Sequence, residues 1–191
     1  MPAGVDAAHI VLPAMLLGVV WIALVIDLCQ HRVPNVLTFG AATAGITLQS
    51  ALGGAAGLLT ALAGLGVGLV ILLPGYLARA TGAGDLKLMA AAGTLLGPYW
   101  VLVAGIVSIL VGALIAAAYA AFTLFSSTGP APWPRYGLML KTLVTTGRVS
   151  YVAPAEGEIM GRKLPFAVSI ALGTTLTLVL WWPDLNARWA G

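Results

Sequence analysis

Charge is what this sequence has least of. Only 8% of its 191 residues are Asp, Glu, Lys or Arg, against roughly 25% in soluble domains. A water-facing globular surface is therefore excluded, and a mean hydropathy of +1.02 excludes it again. Cysteine is nearly absent. Cys29 stands alone, which rules out an intrachain disulfide and any multi-cysteine zinc site and leaves it as a small apolar filler. No basic run is long enough to grip nucleic acid, so the net charge of +3 reads as a membrane-orientation signal. Residues 1–10 contain no Lys or Arg and carry Asp6. A cleavable signal peptide needs a basic leading region, so the first apolar stretch reads as a retained span.

What the chain has instead is apolar length. Hydrophobic runs fall at Ile10–Ile26, Val36–Leu52, Ala55–Ala78, Leu86–Leu96, Val101–Phe125 and Leu164–Trp182. Turn signals separate several of them: Val33-Pro34-Asn35, Gly53-Gly54, Gly82-Ala83-Gly84 and Gly97-Pro98. A hydrocarbon core about 30 Å thick takes about 20 apolar residues per helix, and lipid-exposed backbone must satisfy its own hydrogen bonds. The expected fold is therefore all-α and integral to a membrane. One polytopic domain has about six spans, near 8–27, 36–52, 55–79, 81–97, 100–125 and 164–182.

Basic residues set the orientation. With the N-terminus outside, the inner side receives Arg32, Arg79, Lys87, Arg135, Lys141, Arg148, Arg162 and Lys163, and the outer side only Arg188. The expected topology is N-out and C-out. Tyr99-Trp100 and Trp181-Trp182 then both fall at the outer interface, as an aromatic belt would. The inner loop is 126–163. Within it Tyr136, Met139, Leu140, Leu143 and Val144 recur at helical spacing, with Arg135, Lys141 and Arg148 elsewhere on the wheel. That pattern predicts a basic helix lying on the inner leaflet, with an ordinary loop as the alternative. Gly64, Gly66 and Gly68 form a small-residue stripe suited to close packing within the chain. Trp21 and Tyr76 read as packing residues.

Six acids exist in all. Asp6 and Asp184 lie at outer margins, and Glu156 and Glu158 in the inner loop. Asp27 and Asp85 remain, each attached to an apolar run. From Leu86 to the Gly97-Pro98 turn the chain rises only roughly 17 Å as a helix. That span must start near Thr81 or reach part way, and either option sets Asp85 and Lys87 within the membrane thickness on the inner side. Asp27 ends the first span on the same side. Two carboxylates thus reach one depth from two helices, an arrangement suited to sharing a proton between acid and base. Gly82 and Gly84 allow close backbone approach. Pro34 fixes the turn after the first span, and Asn35 suits the cap of the next helix. Lys87 reads as a residue that tunes Asp85, meets an acidic substrate residue or reaches for lipid phosphate. His31 and Arg32 read first as inner-side cations. His9 and His31 lie on opposite sides, so no metal site and no cofactor is expected.

At these residues the chain resembles the type IV prepilin peptidases. Asp27-Leu28-Cys29-Gln30-His31-Arg32-Val33-Pro34-Asn35 is similar to their first-aspartate motif, an Asp followed by a basic loop and (I/V)PN. Gly82-Ala83-Gly84-Asp85-Leu86-Lys87-Leu88 fits their GxGDxKL motif. Leu164-Pro165-Phe166 with Ala171-Leu172-Gly173 resembles their last span, although Ala167-Val168 stands where Gly-Pro is common. The resemblance implies catalytic Asp27 and Asp85, supported by Gly82, Gly84, Lys87, Pro34 and Asn35. It also implies a prepilin or pseudopilin leader cut at the cytoplasmic face of the bacterial inner membrane, beside pilus assembly machinery. Larger members carry two CxxC pairs and methylate the new pilin terminus; this chain lacks them, so it resembles the short peptidase-only form of Flp/Tad systems. GxGD is shared with presenilin-like proteases. Two other classes stay open: a proton-coupled transporter subunit using Asp27 and Asp85 as a relay, and a non-catalytic scaffold.

Overall fold

The computed structural model describes residues 3–78, 80–125, 133–147 and 166–185, and these form helices joined by short turns. In chain order they are α1 (Ala3–Gln30), α2 (Asn35–Leu77), α3 (Ala83–Phe125), α4 (Trp133–Thr146) and α5 (Phe166–Leu180). Arg79, Arg148, Glu156, Glu158, Arg162, Lys163, Leu164, Pro165 and Arg188 lie outside the described residues, as do the side chains of Asp6, His9, Arg135 and Tyr136. Three helices are long and apolar enough to cross a membrane: Ile10–Gln30, Asn35–Leu77 and Ala83–Tyr119.

Two of the three are broken in the middle. Gly54 has φ 57° and ψ −137°, and Gly97 has φ 73° and ψ 176°, conformations open to glycine and strained for any L side chain. Pro98 follows Gly97 and cannot donate to the preceding turn. At Gly54 the chain doubles back, because a Cβ on Gly57 would run into the Gln49 carbonyl oxygen. The 55–77 arm of α2 then lies against both arms of α3: Gly68 beside Met89 and Ala90, Gly64 beside Gly93 and Gly97, and Ile71 beside Gly105. Residues on both sides of Gly97 therefore share one level, and α3 also folds back. The result is six apolar helical segments, broken where the sequence carries Gly53-Gly54 and Gly97-Pro98.

The unit formed by Met1–Gly112 and Pro165–Gly191 is built around the 83–96 arm of α3. Every residue from Leu88 to Gly97 is buried. That arm can be central because its contacts are small: a Cβ at Gly45 would strike Thr94, and one at Gly64 or Gly93 would strike the other's carbonyl. Helices in lipid gain little from hydrophobic exclusion, so close backbone contact of this kind is their main source of packing. The break leaves carbonyls at the end of the arm without helical partners. Gln49, itself buried, donates through Nε2 to the Leu95 carbonyl at 3.0 Å, and so a polar side chain is satisfied where water is absent.

α1 packs one stripe inward: Leu12, Leu16, Val19, Val20, Ala23, Leu24 and Asp27 are buried, at the i, i+3, i+4 spacing of a single helix face. Ile10, Val11, Trp21, Ile22, Val25 and Leu28 are exposed. Trp21 Nε1 donates to Thr175 Oγ1 on α5 at 3.2 Å, and a Cβ on Gly173 of α5 would meet Ser108 of α3. One aromatic expectation changes. Tyr99 is exposed as a belt residue would be, but Trp100 is 7% exposed and packs into the core, since consecutive helical residues point in different directions. The unit Ala113–Leu164 contains α4, where Leu138, Leu140, Leu143 and Val144 are exposed.

The glycine contacts make a direct prediction. Gly64→Val forces a side chain against the Gly93 backbone and is expected to destabilise the detergent-solubilised protein by about 1–3 kcal/mol, read as a lower thermal midpoint. Gly66→Val meets nothing within 4 Å and should leave the midpoint unchanged.

Candidate active site

Asp27 is the last inward residue of the α1 stripe, so the helical period that buries Leu16, Val20 and Leu24 carries the carboxylate in with them. α1 ends three residues later. His31 adopts φ 52°, an uncommon left-handed conformation for a residue with a side chain, and its N–H bonds the Asp27 carbonyl at 2.8 Å, a C-terminal cap of the kind usually made by glycine. His31 is thereby the residue that terminates α1.

Asp85 is the third residue of α3. The Gly82 N–H donates to Asp85 Oδ2 at 2.9 Å, while the Gly82 carbonyl accepts from the Leu86 N–H at 3.2 Å. The carboxylate thus closes half of a capping box around the first turn and sits at the positive end of the helix dipole. Asp27 and Asp85 are each 8% exposed. α1 and α3 bring these two buried acids to one end of the bundle, where the turn that follows α1 meets the turn that precedes Asp85 at Val33 and Gly84.

The flanking motifs touch as well. A Cβ on Gly84 would lie 3.1 Å from the Val33 Cβ, so the missing side chain is what lets the turn after α1 press against the start of α3. Lys87 Nζ donates to Asn35 Oδ1 at 2.9 Å and lies 5.5 Å from the centre of the Phe39 ring, within cation–π range. Asn35 is not the cap of α2. Pro34 occupies the N-cap position and its carbonyl accepts from the N–H groups of Leu37 and Thr38, which frees the Asn35 amide for Lys87. Nor is Lys87 paired with Asp85 among the described residues. Positions two apart on a helix face away from each other, and the ammonium turns to α2.

Residues 14–117 match the type IV leader peptidase family, over more than half of the chain.

The chain belongs to the type IV leader peptidase family.

This membership makes it a peptidase of the membrane, and the family's substrates are prepilin precursors. The matched residues include Asp27 and Asp85 and the sequence around each. The third resemblance, Leu164-Pro165-Phe166 with Ala171–Gly173, lies beyond them. No curated protein and no solved structure gives a significant match.

Val33, Phe39 and His31 were not assigned to the site from sequence. Phe39 had a usable signal, since it lies one helical turn from Asn35 on the same face. Val33 opens the (I/V)PN motif, but its partner Gly84 is distant in sequence, so the contact itself had no signal. Among the described residues no three His, Cys, Asp or Glu side chains cluster as a metal site would require. The Val33–Gly84 contact predicts that Gly84→Val will part the two turns and lower leader-peptide cleavage by about tenfold or more, measured on purified protein. Gly66→Val should retain the native rate.

Proposed function

We propose that the protein is a prepilin leader peptidase of aspartyl type, in which Asp27 and Asp85 share one proton and hydrolyse a single peptide bond of a prepilin-like precursor. The observation that carries this reading is the pair of buried carboxylates at one end of the bundle. Two such groups do not both ionise at low cost. The ionised Asp takes a proton from water as the water oxygen bonds to the scissile carbonyl carbon, and the protonated Asp donates to the carbonyl oxygen. Collapse of the tetrahedral intermediate re-forms the carbonyl as one of its hydroxyl protons returns to the Asp that had donated, breaks the carbon–nitrogen bond, and sends the proton taken from water to the leaving amine. The site ends as it began, with one proton on the pair. Gly82, Gly84, Pro34, Asn35 and Lys87 support the pair by shaping the two turns.

The cationic residues of the described turns, Arg32 and Lys87, lie at the aspartate end of the chain's spans, which favours cleavage at the cytoplasmic face of a bacterial inner membrane. Six spans with both termini outside accommodate the six apolar segments. In the cytoplasmic loop α4 gathers Met139, Leu140, Leu143 and Val144 on one side of its circumference, with Lys141, Thr142, Thr145 and a single leucine, Leu138, on the other. α3 stops seven residues before it, so a membrane-bound helix tethers it within roughly 25 Å of the bilayer. An interfacial position on anionic lipid fits both facts. The transporter reading has less support, since relay acids belong near the bilayer midplane and these lie at helix ends.

Asp27→Asn and Asp85→Asn should each leave the protein inserted and folded while lowering cleavage of a synthetic prepilin leader by about 10²- to 10⁴-fold. Normal processing by either variant ends the proposal. With one cysteine and no CxxC pair, the protein acts as peptidase alone. Mass spectrometry of the mature product incubated with a methyl donor should find an unmodified amino terminus.

A further inference from the structure

We infer that Lys87 is a positioning residue, whose ammonium clamps the first turn of α2 to the first turn of α3 and so fixes the Asp27-bearing turn against Asp85. The inference rests on the two-aspartate reading above and adds a role for a residue outside the acid pair.

Three observations converge on it. Lys87 Nζ bonds Asn35 Oδ1 at 2.9 Å and stands 5.5 Å from the Phe39 ring centre. Asn35 and Phe39 are four residues apart and present one face of α2 to the ammonium. An ammonium can only donate, so Asn35 must offer its amide oxygen. That amide is available because Pro34, not Asn35, caps α2. Two residues upstream of Asn35, Val33 packs on the position where Gly84 has no side chain. The linker 31–34 is thus held at both ends: by the His31 cap on α1, bonded to the Asp27 carbonyl, and by the Lys87 bridge on α2. Moving α2 away from Lys87 releases the linker, and with it the end of α1 that carries Asp27. A lysine that met only lipid phosphate or a substrate carboxylate would have no need of Asn35 or of the ring beneath it.

The test uses the full chain in nanodiscs, with Cys29→Ser as background. Val33→Cys with Gly84→Cys supplies a conformational readout that needs no catalysis, since the two Cβ positions are close to disulfide range. Oxidation should link them readily. Lys87→Met and Asn35→Leu should each slow that linkage by about tenfold, and their combination should slow it no further, because both remove one bridge. In cleavage of a synthetic prepilin leader, without the added cysteines, each single change should lower kcat by about 10- to 100-fold with KM little changed. The double variant should match the singles, and Lys87→Arg should recover most of the rate. Multiplying effects in the double variant would overturn the inference. So would native linkage and kcat in Asn35→Leu, or a rise in KM alone in Lys87→Met, which would make Lys87 a substrate contact. Failure of the two-aspartate reading would look different: Asp27→Asn would cleave normally while the linkage results stood.

Discussion

A helix can stand at the centre of a membrane bundle, with neighbours on every side, only where those neighbours come within backbone distance. The 83–96 arm of α3 meets that condition through Gly45 against Thr94, Gly64 against Gly93 and Gly68 against Met89 and Ala90. Lipid offers no exclusion force to drive helices together, so these close approaches carry the cohesion of the core. The consequence for chemistry is positional. Asp85 sits in the first turn of the most enclosed helix, and its depth and direction are those of the arm.

The second aspartate depends on the same frame by a different route. Asp27 owes its inward direction to the periodicity of α1, but its height relative to Asp85 depends on a linker of four residues, 31–34. That linker is short, begins with a residue in a left-handed conformation and ends on a proline. Its middle rests on Gly84. Two motifs that look independent along the chain are thus one contact surface in space: the glycine of one is the space into which the valine of the other fits, and the lysine of one bonds the asparagine of the other. Membership of the leader peptidase family gives that surface a chemical context.

Much of this was legible in the sequence. Helix breaks at Gly53-Gly54 and Gly97-Pro98 follow from glycine's freedom and proline's missing donor, which are local properties. The inward face of Asp27 follows from counting back along α1 in steps of three and four. The shortness of the apolar run after Asp85 already required a helix that starts near Thr81 or reaches only part way, and the helix starts at Ala83. What escaped depends on partners distant in the chain. Asn35 is a reasonable cap by propensity, yet Pro34 takes that position and Lys87 takes the amide. Trp100 carries the composition of an interface residue, yet it packs into the core. The Gly64–Gly66–Gly68 stripe was read as one surface, but only Gly64 and Gly68 meet a neighbour, since residues two apart diverge around a helix.

From Ala83 to Leu96 the central arm rises roughly 21 Å, well short of a hydrocarbon layer about 30 Å thick. The longer helices that enclose it are the ones that meet lipid, and their fit to the layer is governed by acyl-chain length. A substrate anchored by its own apolar helix keeps its own height in the same layer. On the proposed two-aspartate mechanism, the vertical offset between a substrate's scissile bond and the acid pair is a property of the surrounding lipid as much as of the protein. Bilayer thickness becomes a determinant of which bond is presented.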